Sequence, residues 1–555
     1  MSLSLLNKLG KYLSPIIVEE IEEGGEIYFD KNEISLLLSH LKSEFEFLVL
    51  LDICAEDLLG KKNAEERQSH RYEIVYHLLN LEEHTRLRVR LPTDGVEPIL
   101  SVREVFLNGD WYEQEIWDMY GIKFSDQSDL RVLNHQSFIG FPLRKDFINE
   151  SNGSTQEPYD FFDEQESVQV VERGLRSIVN IGPVHPITRG SVRSIFELDG
   201  EKIVRNKFEI GYTHKAIEKI FEEKTWTTGI LLAEQLSDQS PFLSSLAYVN
   251  AVEKLYDLEI PDRAMALRMV FSELSRIVDH LNCIGELSLS SGNETILFKC
   301  LDLRERIYEL FEKATGSRTK ANINIIGGLS LDLPIGWIAD CIIHIDYIED
   351  NLLMLDKLLT RSKVWMARTN VCKITSHMAL EYGLSGPSLR ASGINYDLRK
   401  ASPYYFYNDV DFEIPLGVNG HCYDRYLVRI EEIRQSLKII VQVLDNLPFG
   451  DCVATHPLTE LFHAKSPQQF STAEDFVKNK ITPPSKRIYS SIEAANGELG
   501  FYLISDGSSK PWRVKVRAPS FTHIQVLAQV LPGLILDDAL VGFSSLNITP
   551  GELDR

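Results

Sequence analysis

In the stretch EQLSDQSPFLSSLAY, residues 234–248, Ser237 and Ser240 stand three apart and flank the carboxylate Asp238. The x-x spacing brings two side chains to one small loop, the arrangement by which metal-binding pairs are built. A serine hydroxyl is neutral at pH 7 and a hard, weak donor, so this pair is suited to hydrogen bonding and not to a soft redox metal. The seven cysteines offer no substitute. No two of them form C-x-x-C, and their irregular spacing reads as free, mostly buried thiols. Further along, His214 and Glu218 in GYTHKAIEK are four residues apart. On a helix they would share a face, either as a proton relay or as an ordinary solvated pair. Asp424, Arg425 and Arg429 in CYDRYLVRIEE read as a buried ion-pair network.

The elements that must position these groups can be placed coarsely. At 555 residues the chain exceeds one ordinary core. EISLLLSHLKSEF and WYEQEIWDMYGI have helical period, while SHRYEIVYHLLNL and TRLRVRLP alternate like paired strands. A polar, acidic stretch begins near Ile148 and reads as a linker. After it SVRSIFELDGEKIVRNKFEIGY reads as strands turning at Asp199-Gly200. Residues 215–450 are dominated by long amphipathic helices, and ELGFYLISDGSSKPWRVKVRAPS reads as a second hairpin. No apolar run reaches the ~18 residues of a membrane span, and MSLSLLNKLGKYLSP does not read as a signal peptide. A net charge of −23 spread along the chain argues against nucleic acid as a partner. No G-x-G-x-x-G followed by an acid occurs, so no dinucleotide fold is expected.

Several segments together carry a family resemblance. WYEQEIWDMYGIKFSDQSDLRVL and FPLRKDF resemble the signature of the 30-kilodalton subunit of respiratory complex I. IGPVHPITRG (181–190), ELDGEKIVRNKFEIGYTHKAIEK (197–219), AVEKL (251–255), LSGPSLRASGINYDLRK (384–400), GVNGHCYDRYLVRIEEIRQS (417–436), GELGFYLISDGSSKPWRVKVRAPSF (497–521) and the terminal GELDR resemble the 49-kilodalton subunit. That subunit is related to the large subunit of nickel-iron hydrogenases. The resemblance covers nearly the whole chain in the family's order.

It implies an α+β chain in which a small α/β domain (1–147) and an acidic linker (148–172) precede a mainly helical, hydrogenase-large-subunit-like domain (173–555) with β elements at both of its ends. It implies a peripheral-arm subunit on the cytoplasmic face of the bacterial inner membrane. Its expected partners are a small iron-sulfur subunit, a ferredoxin-like iron-sulfur subunit and membrane-embedded subunits. [4Fe–4S] clusters would sit in the partners, no cofactor would be held by this chain alone, and quinone would be the substrate. Glu113, Glu115, Trp117 and Asp118 belong to the first domain's signature, with docking to iron-sulfur subunits as the expected use.

Residue by residue, the chain departs from both branches of the family. The hydrogenase branch holds its metals on two C-x-x-C pairs; Ser237 and Ser240 take the first pair's positions, and Thr549 and Glu552 the second's. With all four thiolates gone, a nickel-iron hydrogenase is excluded. An oxygen-lined cation site from Ser237, Asp238, Ser240, Thr549 and Glu552 would have only two charged members. In the complex I branch a histidine and a tyrosine hold the quinone headgroup. Here His185 matches the first histidine of that loop, Arg189 replaces the second, and Asp238 falls at the tyrosine. An acid of the family falls at Ser290, and His280 is kept. The expected site residues are thus His185, Arg189, Asp238 and His280, with Arg189 and Asp238 as an ion pair or a substrate site. His214, Glu218 and Glu552 are the proton-relay candidates. The alternative is a non-catalytic scaffold around a vestigial cavity.

Overall fold

The computed structural model describes residues 17–21, 24–29, 33–61, 70–127, 131–148, 176–455 and 482–555. The expected linker lies outside the described residues beyond its first position. The N-terminal part is a five-stranded sheet of β1 (Ile17–Ile21), β2 (Gly24–Tyr28), β3 (Val49–Asp57), β4 (Tyr72–Asn80) and β5 (Thr85–Thr93), ordered β1-β2-β5-β4-β3. β2 and β5 are parallel and all other neighbours antiparallel. Helix α1 (Ile34–Glu44) buries Ile34, Leu37, Leu38 and Leu41, a stripe at helical spacing. Helix α2 (Gly109–Tyr120) packs on β3, where the Tyr112 hydroxyl donates to the Leu51 carbonyl at 2.9 Å.

An alternating strand ordinarily leaves its polar face in water. Here that face is covered. The second part contributes a three-stranded antiparallel sheet within residues 487–517, and its Tyr489 and Tyr502 rings close on His77 of β4 at 5.2 and 4.9 Å. Charged pairs cross the same seam: Arg86 to Glu498 at 2.8 Å, Arg487 to Glu56 at 2.8 Å, and Lys515 to Glu115 at 2.6 Å.

The second part opens with an antiparallel sheet of β6 (Arg176–Ile181), β7 (Arg193–Asp199) and β8 (Lys202–Glu209), in which Asp199-Gly200 makes the β7–β8 turn as expected. Helices follow: α3 (Ile217–Glu223), α4 (Pro241–Leu255), α5 (Asp262–Ser290), α6 (Glu294–Thr315), α7 (Trp337–Leu355), α8 (Cys422–Asp445) and, near the end, α9 (Leu536–Leu546). A short pair, β9 (Asn324–Ile325) and β10 (Gly328–Leu329), precedes α7. The sheet β11 (Arg487–Ala494), β12 (Gly497–Ile504) and β13 (Arg513–Arg517) precedes α9. Among the described residues no helix is long and apolar enough to cross a membrane.

The 29-residue α5 is the axis, packed by α6, α8 and α9. It is buried on nearly all sides, yet carries Arg268, Glu273, Arg276, Asp279 and His280 inward. Buried charge is tolerated only when paired. Arg268 accordingly grips Glu253 through two bonds of 2.8 Å, and Glu273 receives Arg276, Arg399, the Tyr407 hydroxyl and the Ser436 hydroxyl.

Candidate functional site

The Ser237–Ser240 loop enters α4 and meets the C-terminal turn beyond α9. At Gly551 the approach is so close that a Cβ would stand 2.4 Å from the Gln235 carbonyl oxygen and 2.7 Å from that of Leu236. Both obstacles are backbone, so Gly551→Ala must push the turn off the loop. We expect a loss of about 1–3 kcal/mol, read as a lower thermal midpoint of the chain in its purified complex.

This contact brings the four positions matched to metal thiolates into one buried neighbourhood. Each is spent on another protein group. The Ser237 and Ser240 hydroxyls are 3.0 Å apart, and Ser240 donates to Asp279 at 2.9 Å. Asn547, in the left-handed conformation that ends α9, donates from its side chain to Asp279 at 2.5 Å and Asn496 at 2.8 Å. Asn496 donates in turn to the Thr549 hydroxyl at 3.3 Å. Ser520 donates to Glu552 at 2.6 Å, and the Thr549 amide donates to Ser520.

Burial pushes the Glu552 carboxyl up to about 7. A folded-state value above the unfolded one favours the fold below the unfolded value of about 4.5, and that contribution is lost as pH rises through about 7. Glu552→Gln should therefore stabilise the chain at pH 8, by on the order of 2 kcal/mol, and change little near pH 5. Thermal unfolding at the two pH values checks this.

Arg189 sits at a rim where the 185–190 turn meets the 237–240 loop, with part of its side chain exposed. The turn His185–Arg189 closes with the Arg189 amide donating to the His185 carbonyl at 3.0 Å, and Arg189 itself has φ 49°. Its guanidinium pairs with Glu286, donates to the Asn547 side-chain oxygen at 3.2 Å, and meets the Gln239 amide when that group is oriented with its oxygen inward. The expected Arg189–Asp238 pair is not formed. Within SDQS, Gln239 turns toward Arg189 while Asp238 points outward and is exposed. The carboxylate that does pair, Glu286, lies one helical turn before Ser290 on α5. Burial raises its carboxyl, against the pull of Arg189. Its sequence signal was its place four residues upstream of the position where the family carries an acid. Ser290 bonds the Ser544 hydroxyl at 2.6 Å instead. His185 is half-buried on the exposed side of the turn, beside Val184 at 96% exposure.

His280 is not at the rim. It is fully buried on α5, with Arg429 donating to Nδ1 at 3.0 Å and Nε2 facing Glu432 at 2.8 Å. An acceptor at Nδ1 and a donor at Nε2 define a neutral ring, and burial holds its pKa below the ordinary value. Glu432 is also gripped by Arg390. Although burial opposes ionisation, Arg390 and His280 hold the Glu432 carboxyl well below the usual range. A hydrogen-bond chain therefore runs from the rim inward, Arg189–Asn547–Asn496–Arg429–His280–Glu432. The anticipated Asp424–Arg425–Arg429 ion-pair network is not what α8 builds. Asp424 caps the helix, accepting from the amides of Val418, Asn419 and His421, because at the third helical position its carboxylate faces those orphan donors.

Two other expectations are corrected. His214 and Glu218 do not share a helix face, since Ala216 adopts φ 51° and α3 starts only at Ile217. His214 is held by the Asp554 carbonyl at 3.0 Å. Glu218 instead receives Arg513 at 2.7 Å and the Val516 amide at 3.1 Å, with Lys515 and Arg555 within 3.7 Å. Burial opposes ionisation there, but the three cations outweigh it and hold Glu218 down at about 2, which suits an anchor and not a relay. In the first domain Glu113, Glu115 and Asp118 are buried, so they do not form a docking face in this chain. Glu113 accepts from Ser101 and the Val102 amide, Glu115 from Lys515 and Arg555, and Asp118 from Arg131 and the amides of residues 132–134. Trp117 is half-buried under Arg131.

The comparisons agree with this two-part architecture. A family model described as respiratory-chain NADH dehydrogenase, 30 Kd subunit, matches residues 27–152, and one described as respiratory-chain NADH dehydrogenase, 49 Kd subunit, matches residues 291–555. The class is thus a fused chain carrying both units. The NADH-quinone oxidoreductase C/D subunit of Bdellovibrio bacteriovorus is 38% identical over 95% of this chain and 94% of its own length. The proteins of the same description from Acidiphilium cryptum and Methylococcus capsulatus are each 34% identical, over 99% and 93% of this chain and 97% and 92% of their own lengths. The chain belongs to the family of fused C/D subunits of NADH-quinone oxidoreductase, and is a subunit of that oxidoreductase complex, complex I.

Proposed function

We propose that electrons arriving from a [4Fe–4S] cluster of an adjacent small iron-sulfur subunit reach quinone at the rim formed by the 185–190 turn and the 237–240 loop. The observation that carries this reading is Arg189. It ties the two loops together, keeps part of its side chain exposed, and is backed by the buried chain ending at Glu432. Reduction of a quinone carbonyl places negative charge on its oxygen. A guanidinium held in place by Glu286 and Asn547 stabilises that charge without having to reorganise. Glu286, with its raised carboxyl, can return a proton, and Asp238 and His185 flank the same rim. His280 acts from behind, through Arg429. In this reading the chain lies on the cytoplasmic face of the membrane, where membrane-embedded subunits and a ferredoxin-like iron-sulfur partner make up the rest of the complex.

A scaffold role is the second reading, favoured by the closed hydrogen bonding at Ser237, Ser240, Thr549 and Glu552. One experiment separates the two. The clusters of the purified complex are reduced chemically, a short-chain quinone is added, and reoxidation is followed by electron paramagnetic resonance. A working site gives fast reoxidation that slows at least tenfold in Arg189→Ala, is partly restored by Arg189→Lys, and slows in Asp238→Asn. Equal rates in all variants, with clusters intact, would leave only the scaffold.

A further inference from the structure

Arg425, on the first turn of α8, is 1% exposed. Its guanidinium donates to the carbonyls of Gly420 at 2.9 Å and Cys372 at 3.0 Å, to the Ser545 hydroxyl at 3.0 Å and to the Cys422 sulfur at 3.1 Å. Among the described residues it forms no ion pair with a carboxylate, since Asp424 is turned to the backbone amides that it caps. A guanidinium does not give up its proton in a protein, so burial without an anion is costly. The titratable group touching it is the Cys422 thiol. A second thiol, Cys372, hydrogen-bonds that sulfur. The two segments are laced together by the Cys422 amide on the Val371 carbonyl at 3.1 Å and the Ile374 amide on the Gly420 carbonyl at 2.9 Å. From the other side come Asp538, whose carbonyl is 3.5 Å from the Cys372 sulfur, and Arg368, 3.6 Å from the Asp538 carboxylate.

We propose that Cys422 is the thiolate counter-ion of Arg425 and that, with Cys372, it forms an oxidisable site that closes to a disulfide on reaction with a peroxide. The Cys422 sulfur attacks one peroxide oxygen, becomes a sulfenic acid and releases hydroxide, which takes up a proton to give water. The Cys372 sulfur then displaces the sulfenic oxygen as a second water. Two thiols lose two electrons and two protons, and the peroxide becomes two waters. Burial opposes the thiolate, yet the Cys372 thiol and Arg425 together bring Cys422 down to about 6. Both sulfurs are buried, Cys422 fully, so only a small oxidant can reach the pair, past the Cys372 segment where Val371 is half-buried and Lys373 exposed. Closing the disulfide removes the anion from Arg425 on the same helix that carries Arg429 and Glu432 to His280.

The test treats the intact complex with hydrogen peroxide at several pH values, denatures it in N-ethylmaleimide, digests without reductant and maps the peptides by mass spectrometry. The expected product joins Cys372 to Cys422, disappears on treatment with dithiothreitol, and forms about tenfold faster at pH 7 than at pH 5. Cys372→Ser keeps Arg425 beside Cys422 and puts a hydroxyl donor where the thiol was. Without a resolving thiol, Cys422 should then be recovered over-oxidised. Recovery of both cysteines as maleimide adducts, at a dose that converts methionines of the same sample to sulfoxides, would overturn the pair. A linked peptide that forms equally fast at pH 5 and pH 7 would overturn the thiolate.

Discussion

Glu273→Ala should cost the chain about 3–5 kcal/mol and leave little assembled complex to purify. The carboxylate lies on the central helix with zero exposure and satisfies four donors at once: Arg276, Arg399, Tyr407 and Ser436. Arg399 keeps Asp397, and Arg276 keeps two carbonyls of the β11 edge, yet neither guanidinium retains its full set of partners. Burial opposes ionisation of Glu273, and Arg276 and Arg399 overcome it, holding the carboxyl at about 2. A depressed folded-state value gives stability that is present above the unfolded value of about 4.5 and lost as pH falls through about 2. Glu273→Gln, which keeps the shape and loses the charge, should sit between wild type and alanine and show a flatter acid limb. Thermal unfolding from pH 7 to pH 3 reads both effects. An alanine variant as stable as wild type would mean that the arginines find other anions.

Glu218→Gln and Asp52→Asn should move stability in opposite directions, although both acids belong to one cluster at the seam between the two parts. Glu218 faces Arg513, Lys515 and Arg555, so neutralising it strands positive charge in a dry interface and should cost about 3 kcal/mol. Asp52 has no hydrogen-bond partner at either oxygen, and its nearest cation, Lys515, is 3.9 Å away. Burial there outweighs Lys515 and raises the carboxyl to about 7. Its contribution is therefore present below the unfolded value of about 3.8 and lost as pH rises through about 7, so asparagine should be neutral or stabilising at pH 8 by about 1 kcal/mol. Destabilisation by Asp52→Asn at pH 8 would mean that the charged Asp52–Lys515 pair is what holds the seam.

Much of this architecture was legible in one dimension because periodicity and motif order are one-dimensional signals. Long helices within 215–450 and the turn at Asp199-Gly200 followed from periodicity and turn residues, and the pairing of SDQS with the C-terminal turn followed from the family resemblance. What spacing cannot encode is the direction in which a loop side chain leaves the backbone. Asp238 and Gln239 are adjacent, and only the three-dimensional path of the loop decides that the amide, not the acid, meets Arg189. A single left-handed residue, Ala216, is enough to break the expected His214–Glu218 face. The family resemblance assigns the acids of the 30-kilodalton signature to docking on iron-sulfur subunits, yet they are buried within this chain. The partners of Glu115, which are Lys515 and Arg555, lie some 400 residues away, and no local pattern carries that information.

The covered strand faces of the first domain have a further consequence for how such a complex is put together. Each half of the seam offers buried tyrosines and unpaired charges to the other, and would be a poor stand-alone surface. When both halves are one polypeptide, their docking is intramolecular and its effective concentration is of millimolar order, independent of how much protein the cell makes. Stoichiometry between the two units is fixed at one to one. A substitution that weakens the seam is thereby buffered, because the loosened halves cannot diffuse apart. Were the two units separate chains, the same substitution would act directly on subunit occupancy.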